Sequence, residues 1–338
     1  VEPAGTAREA TEAPDEASLL FELDDESLVL YSILSFDPRV LSVLFFVVPS
    51  VAPFVSGYVD SPSVLVFLGI GLGVLLATAL GAWLLSAFSR FVNYYGFRLS
   101  RIGEELRYER GLLQRYDGSI PEGKIQTLVI EENVLMRLFG YASLSIETAG
   151  YGPEAAAESA SAVPLARRDH LLDLARDLEQ FGDLTFERPA PVAKRRYVFR
   201  YALVVTGVLI AGLAVSRFVR PIPWYALAVL YAGVPIAARK QWRHRGWALT
   251  EGYVATRTGF WRRRTHVVPD DRVQTVIDRR SLFQRRWGLG TVYVDTASSG
   301  GFIAAEARAI DIDDEQAATL QRDVTDRLVA ALGLDDRD

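Results

Sequence analysis

The chain has 338 residues, half of them hydrophobic, and a formal net charge of −5. It contains no cysteine, which excludes disulfide bonds and thiolate metal sites. The acidic balance is too modest to indicate nucleic acid as a partner, and the length is sufficient for about two domains.

Residues 1–37 are predicted to form a polar tail or linker, because the opening "VEPAGTAREATEAPDEAS" is acidic and has no apolar periodicity. No basic segment followed by an apolar segment is present, so no signal peptide is predicted here.

A first transmembrane hairpin is predicted over residues 38–90. Two uncharged runs, 40–59 and 63–88, are separated by the short turn "DSP". Each is long enough to cross a hydrocarbon core about 30 Å thick, which takes roughly 20 helical residues. The alternative, a pair of buried helices in a large soluble domain, is disfavoured because the second run is uncharged throughout.

A second hairpin is predicted over residues 197–240 from two shorter apolar runs, 201–215 and 224–238. Tyr197 and Trp224 are suited to anchor it at the membrane interface. No charged residue interrupts either run, so a midplane transport site is not indicated.

Small residues recur every four positions in the second apolar run and place one smooth face along the helix, where another helix can approach closely. This predicted helix-packing face consists of Gly69, Gly73, Ala77 and Gly81. The alternative for "GIGLG", a phosphate-binding turn, lacks the following Gly-Lys-Ser/Thr.

Basic residues flank the hairpins on the side of the long polar segments, which are therefore predicted to be cytoplasmic. These residues are Arg90, Arg98, Arg101, Lys194, Arg195, Arg196, Arg200, Arg239, Lys240, Arg243 and Arg245. On the opposite side, the only basic residues are Arg217 and Arg220 in the second turn. The two predicted transmembrane hairpins indicate a protein of the cell membrane.

The segments after the hairpins repeat each other at an offset of 148 residues, as "SIPEGKIQTLVI" (119–130) and "VVPDDRVQTVID" (267–278) show. Gly111 and Gly259 lie at the same offset and suit strand-to-strand turns. Both segments alternate apolar and polar residues over short runs and end in an amphipathic helix. We therefore predict two small antiparallel β domains, 91–183 and 241–338, joined by a linker at 184–196.

The pattern of a hairpin, "IPxxKIQTLxIxxNxLxRxFGxASLxIxTAG" and a helix resembles the membrane-flanked bacterial pleckstrin-homology-like (PH-like, bPH2 or DUF304) domains. Proteins with two or three copies form the YdbT group. The resemblance implies an α+β membrane protein in which transmembrane hairpins alternate with small antiparallel β-sandwich or barrel domains, each closed by a C-terminal helix. In such proteins Phe21-Glu22 and Phe186-Glu187 would be equivalent joining segments, so we expect a further domain to precede residue 1.

No catalytic constellation, metal site or cofactor site is predicted. The three histidines, His170, His244 and His266, have no ligand spacing, and nucleophile-elbow, P-loop and EF-hand motifs are absent. Acidic pairs fall in turns or at helix starts, where solvation or capping explains them. The sequence therefore indicates a protein that is not an enzyme.

One basic cluster with interleaved aromatic residues is the candidate site for a lipid or a protein partner. Its members are Arg262, Arg263, Arg264, His266, Arg272, Arg279 and Arg280. Anionic headgroups would attract it by about 1 kcal/mol per basic residue. The alternatives are a solvated surface or internal pairing with Asp270, Asp271 and Asp278. The first domain has "GLLQRYDGS" at the equivalent place, so the two domains would not share the site.

The leading functional hypothesis is a non-enzymatic scaffold at the membrane whose domains bind membrane or cytoplasmic proteins or each other. The alternative is an anionic-lipid-binding module that uses the basic cluster of the second domain. An accessory role in transport or export is weaker still. Membrane lipids are expected neighbours under all three hypotheses.

Overall fold

A computed structural model describes residues 17–35, 64–149, 162–218, 223–297 and 307–331. It contains two units of antiparallel strands and helices, which confirms the predicted α+β class. The first apolar run, 40–59, lies outside the described residues.

The first unit combines the N-terminal elements, a long helix and a small β domain. Its elements are β1 (Ser18–Glu22), α1 (Asp25–Leu34), α2 (Val64–Tyr94), β2 (Arg98–Ile102), β3 (Glu105–Arg110), β4 (Tyr116–Pro121), β5 (Ile125–Asn133), α3 (Val134–Phe139), β6 (Tyr141–Thr148), β7 (Val163–Arg167) and α4 (Arg168–Leu178). Strands β1 to β4 form one antiparallel sheet in sequence order.

The second unit follows the same plan. Its elements are α5 (Ala193–Phe218), a 3₁₀ segment (Trp224–Gly233), α6 (Val234–Arg243), β8 (Gly246–Thr250), β9 (Tyr253–Thr258), β10 (Arg262–Pro269), β11 (Val273–Arg279), α7 (Leu282–Arg286), β12 (Leu289–Thr296), β13 (Ala307–Asp313) and α8 (Asp314–Ala331). Strands β11, β12 and β13 form a separate three-stranded sheet.

Turn and cap residues recur at equivalent places in both units, as the sequence offset predicts. Gly111 and Gly259 have φ of 110° and 87°, and a Cβ at either would collide with a carbonyl oxygen across the turn. Only glycine adopts such φ values at low cost. Asn133 caps α3 and Ser281 caps α7, each accepting a hydrogen bond from a backbone N–H three residues on.

Part of the predicted polar tail is instead integrated into the first domain. Strand β1 pairs with β2, and α1 buries Leu28, Tyr31 and Leu34 in the domain core. Asp24 caps α1 through a hydrogen bond from the Ser27 N–H. The tail prediction is therefore wrong for residues 18–34, because a short helix with one apolar stripe is ordered by tertiary packing rather than by its composition.

The joining segments Phe21-Glu22 and Phe186-Glu187 lie at corresponding places in the two units, displaced by one residue, because Trp247 is the counterpart of Leu99. Glu22 pairs with Arg98 at the outer edge of β2, while Glu187 forms an isolated antiparallel bridge with Trp247 in β8. Both segments therefore run along the first strand of a β domain.

The long apolar helices agree in part with the two predicted hairpins. Helix α2 covers the second apolar run, and α5 covers the third. Among the described residues, one helix, Ala193–Phe218, is both long and apolar enough to cross a membrane. The fourth run begins as the 3₁₀ segment and becomes helix α6 at Val234. The change occurs beside Pro235, which has no N–H and therefore cannot form the α-helical hydrogen bond to the Tyr231 carbonyl.

The close contact in the second hairpin is made by a glycine that the sequence did not single out as a packing residue. A Cβ on Gly212 of α5 would lie 2.9 Å from Leu227 Cδ1 and 3.3 Å from Trp224 Cβ. The Thr206 hydroxyl lies 2.7 Å from the Tyr231 hydroxyl across the same pair. Helix α5 therefore packs directly against the 3₁₀ segment.

Strands from both units form one continuous sheet, which the sequence did not predict. The order is β7-β6-β5-β10-β9-β8, so β5 of the first domain pairs with β10 of the second. Ala248, Ala255 and Val267 of the second domain belong to the hydrophobic core of the first. The predicted domains 91–183 and 241–338 thus share a sheet and part of a core.

Candidate functional site

The basic cluster begins on β10, the strand of the second domain that pairs with β5 of the first. We call this β5–β10 pairing the interdomain joint. The strands are antiparallel, with Arg263 opposite Glu132 and Arg264 opposite Glu131. Side chains directly opposite each other in such a pair lie about 5 Å apart at Cβ, so opposite charges there form cross-strand ion pairs.

The central ion pair of the joint joins Arg263 to Glu132. The Arg263 Nε and Nη2 atoms donate to Glu132 Oε2 and Oε1 at 2.8 and 2.7 Å. The carboxylate is 2% exposed and the guanidinium 15%. Arg168, at the start of α4, adds a contact of 3.4 Å to Glu132 Oε1. A buried carboxylate needs such partners, because an unpaired charge there would cost several kcal/mol.

A second, more exposed set of ion pairs surrounds Glu131. Arg262 Nη2 and Arg264 Nε lie 2.6 Å from its two carboxylate oxygens. Burial alone would raise the pKa of Glu131, but Arg264 and Arg262 outweigh burial and hold the pKa below its usual range. Three consecutive arginines of the second domain are therefore ion-paired with two consecutive glutamates of the first.

Further basic and aromatic residues, which the sequence did not assign to a site, surround the joint. Arg137 donates to the Phe260 carbonyl oxygen at 2.7 Å. Arg257 stacks 3.6 Å from the Phe186 ring, and burial, with the nearby Arg263, lowers its pKa to about 10. Burial, then Arg137, likewise lowers the pKa of His244 to about 4.

The two copies differ in charge at the residues that form the joint. The first domain has Gln114, Arg115 and Tyr116 where the second has its three arginines, and the second has Arg279 and Arg280 where the first has its two glutamates. Of the four strand ends, those of β10 and β5 carry the most complementary charges, three arginines against two glutamates, and these two strands pair.

The other members of the predicted cluster do not join the three arginines. His266 is buried within the joint, opposite Val129. Arg272 contacts Asp271 at 3.2 Å in the turn after β10. Arg279 is the last residue of β11, in the separate sheet, and Arg280 directly follows that strand. The cluster is thus divided between two sheets and the turn that connects them.

The predicted internal pairing is correct for some partners and wrong for others. Arg280 binds Asp278 at 2.7 Å and Asp314 at 3.1 Å. Asp270 instead contacts Arg327 at 3.5 Å. The three arginines of β10 bind Glu131 and Glu132 rather than any aspartate of their own domain, because strand pairing brings the first domain closer.

The predicted helix-packing face meets no neighbour within the described part of the chain. Gly73, Ala77 and Gly81 are exposed, and a Cβ on Gly73 or Gly81 would have no described atom within 4 Å. The side-chain surroundings of Gly69 lie outside the described residues, as does the neighbouring run 40–59. The packing role of this face stays a prediction.

A second buried charge cluster connects the base of the second hairpin to the second domain. Asp311 in β13 is fully buried, has a φ of 61°, and is bound by Arg196 of α5 and by Arg245, the latter at 3.2 Å. Gln284 of α7 donates to the same carboxylate at 2.8 Å. A charged network therefore ties α5 to β13 and α7.

The charged groups of these sites are paired with one another. Among the described residues, no three His, Asp or Glu side chains are grouped so that they could hold a metal ion. The carboxylates of the joint are saturated by arginines.

Comparison with known proteins places these two units in a family. The model of the bacterial PH domain matches residues 43–181 and 200–328. The chain is 26% identical over 261 residues to the UPF0699 transmembrane protein YdbT of Bacillus subtilis (strain 168), which covers 76% of this chain and 50% of that protein. It therefore spans about half the length of the curated relative that it matches. No solved structure matches it significantly. Because the family model covers most of the chain in two segments, the chain belongs to the bacterial PH domain family.

Proposed function

We propose that this protein is a multi-pass, non-enzymatic membrane scaffold whose two PH-like domains form one rigid cytoplasmic unit that binds proteins. The interdomain joint carries the proposal. It converts the most basic segment of the chain from an open ligand surface into a contact between domains. A shared sheet and core oppose independent domain motion, which suits a platform that presents fixed surfaces.

The membrane part of the proposal is supported by the long apolar helices and by a relative that is named a transmembrane protein. The fourth apolar run, 224–238, comprises the ten-residue 3₁₀ segment and the first five residues of α6, and at about 2.0 and 1.5 Å per residue it extends about 28 Å, close to the thickness of the hydrocarbon core. The basic flanks of the hairpins support cytoplasmic β domains.

A cysteine-accessibility experiment tests the topology. Single cysteines at Ser119 and Thr319, one in each β domain, are expected to be labelled by a membrane-impermeant maleimide only after cells are opened. A cysteine at Asp60, in the first predicted turn, is expected to be labelled in intact cells. Labelling of either domain in intact cells would contradict the proposal.

The rigid scaffold is tested by hydrogen exchange on the full chain in nanodiscs. Amides of residues 128–133 and 262–267 are expected to exchange as slowly as the core of each domain. Triple replacement of Arg262, Arg263 and Arg264 by Glu places five carboxylates at the joint and is expected to accelerate exchange there. Fast exchange in the unmodified protein would exclude a rigid unit.

A second candidate function is anionic-lipid binding at the tip before β10, favoured by exposed Trp261 (69%) beside half-exposed Arg262. Tryptophan suits the membrane interface, and basic residues favour anionic headgroups. Native mass spectrometry of the full chain with anionic or neutral phospholipid decides between the functions. Loss of retained anionic lipid in Arg262→Glu would support lipid binding, and equal retention of both lipids would oppose it.

A further inference from the structure

Strand β11 is the counterpart of β5, yet it lacks the covering strand that β5 has. Among the described strands, β11 is hydrogen-bonded only to β12. Ile277 of β11 is 42% exposed, whereas its counterpart Val129 in β5 is 3% exposed. His266 of β10 lies opposite Val129, whereas no described strand lies beside Ile277 on that side. The outer edge of β11 therefore has the geometry of a site that accepts one more strand.

The matching open strand is β4, the counterpart of β10, which has no described neighbour beyond β3. A second copy of the chain could place its β4 on β11 in the register of the joint. Asp117 would then lie opposite Asp278, and, if the pairing extended one residue beyond each strand, Arg115 would lie opposite Arg280. These are the counterparts of Thr265–Ile130 and Arg263–Glu132. Both contacts join like charges, which destabilises a strand pair.

The charges at the β11 edge are reversed relative to the joint. In the first domain Glu132 contacts Arg168 at the start of α4, whereas in the second Arg280 contacts Asp314 at the start of α8. Asp278 also binds Arg280 at 2.7 Å, so the edge is internally neutral when uncovered. A strand that satisfies this edge needs the reverse pattern of charges from β4.

We infer that the outer edge of β11 binds a β-strand of a different protein, one with a carboxylate opposite Arg280 and a basic residue opposite Asp278. The inference deepens the proposed scaffold role and rests on it. The pattern disfavours head-to-tail growth of identical chains, which heterologous pairing of two open edges would otherwise permit. The interaction is strand addition, with backbone hydrogen bonds for affinity and the two charge pairs for specificity.

Two peptides of almost equal composition test this inference. One has the native sequence of residues 113–123, which contains β4, and the other carries Arg115→Glu and Asp117→Arg. Both have the same net charge. Because two cross-strand pairs change from repulsive to attractive, the exchanged peptide is expected to bind the full chain in neutral-lipid nanodiscs at least about tenfold more tightly. Hydrogen exchange is expected to slow at residues 276–281.

A variant of the protein supplies the reciprocal measurement. Asp278→Arg with Arg280→Asp retains the edge composition and is expected to prefer the native peptide; thermal unfolding checks that it folds. Equal binding of both peptides by the unmodified protein, no binding of either, or slowing away from β11 would overturn the inference. The same hydrogen-exchange measurement includes the amides of residues 128–133, which lie in the interdomain joint and are independent of peptide binding at β11. Their slow exchange would leave the scaffold intact even if β11 bound neither peptide.

Discussion

Replacing Arg263 with methionine is the sharpest perturbation of the interdomain joint. The substitution keeps an apolar side chain but removes the bidentate partner of Glu132. The Glu132 side chain is 2% exposed and would keep a single ion pair, with Arg168 at 3.4 Å. Removing one partner of a buried pair costs about 3–5 kcal/mol. Because Arg168 remains, we expect the substitution to lower the free energy of opening the joint by about 3 kcal/mol, near the lower end of that range.

Arg262→Met is the matched control, because it lies next in the same strand and also binds a glutamate. Its side chain is 50% exposed, so the expected cost is below about 1 kcal/mol. The double change Glu132→Gln with Arg263→Met should recover part of the loss, since the stranded charge is then removed.

Native-state hydrogen exchange of the Ile130 and Thr265 amides measures this opening in the intact protein. A cost of about 3 kcal/mol corresponds to exchange faster by roughly 100-fold, against about fivefold or less for the control. Equal effects of the two methionine variants would refute the reasoning, because burial of the central pair would then contribute nothing to its strength.

Three further predictions follow from other contacts. The lowered pKa of Glu131 stabilises the joint above the ordinary glutamate pKa of 4.5. This stability is lost as the pH falls through the lower folded value, so joint amides should exchange progressively faster as the pH falls below 4.5, once intrinsic rates are corrected. Gly212→Val should lower the thermal stability of the chain in detergent by more than the control Gly207→Val, because only the former has a neighbour within 4 Å of an added Cβ; equal effects would contradict the packing. Asp311→Ala should destabilise the second domain by about 3 kcal/mol or more, because it leaves two arginines without their carboxylate, and unchanged denaturant unfolding would exclude that role.

The order of elements in the two domains could be predicted from the sequence because the same pattern of residues occurs in both copies. The offset of 148 located equivalent glycine turns at Gly111 and Gly259, and the alternating runs indicated small antiparallel sheets. Such features are local: a turn glycine or a helix cap acts within a few residues of itself. They are therefore readable without tertiary structure.

The joint could not be found in this way because strand pairing between β5 and β10 has no local signature. The contact spans 131 residues in sequence, and its two strands resemble all the others in pattern. The divergence between the copies indicated it: Glu131 and Glu132 of the first copy face three arginines of the second, of which only Arg263 has a basic counterpart, Arg115, in the first. Comparison of charges between copies, rather than within one copy, would have predicted the pairing.

The N-terminal elements were missed for a different reason. Strand β1 and helix α1 are short and surrounded by acidic residues, so their composition is that of a linker. Their order comes from the edge of β2 and from the buried side chains of Leu28 and Tyr31, which are properties of the folded domain.

Disulfide trapping tests the central claim, that the two PH-like domains share one sheet, most directly. The chain has no cysteine of its own, and Asn133 lies directly opposite Arg262 in the joint. Opposed residues in antiparallel strands have Cα atoms about 4.5–5.5 Å apart, within disulfide reach. Ser281, the helix-cap counterpart of Asn133, is the control. The shared sheet predicts rapid intramolecular oxidation of Asn133→Cys with Arg262→Cys and none of Ser281→Cys with Arg262→Cys. Oxidation of the control pair alone, or of neither pair, would contradict it.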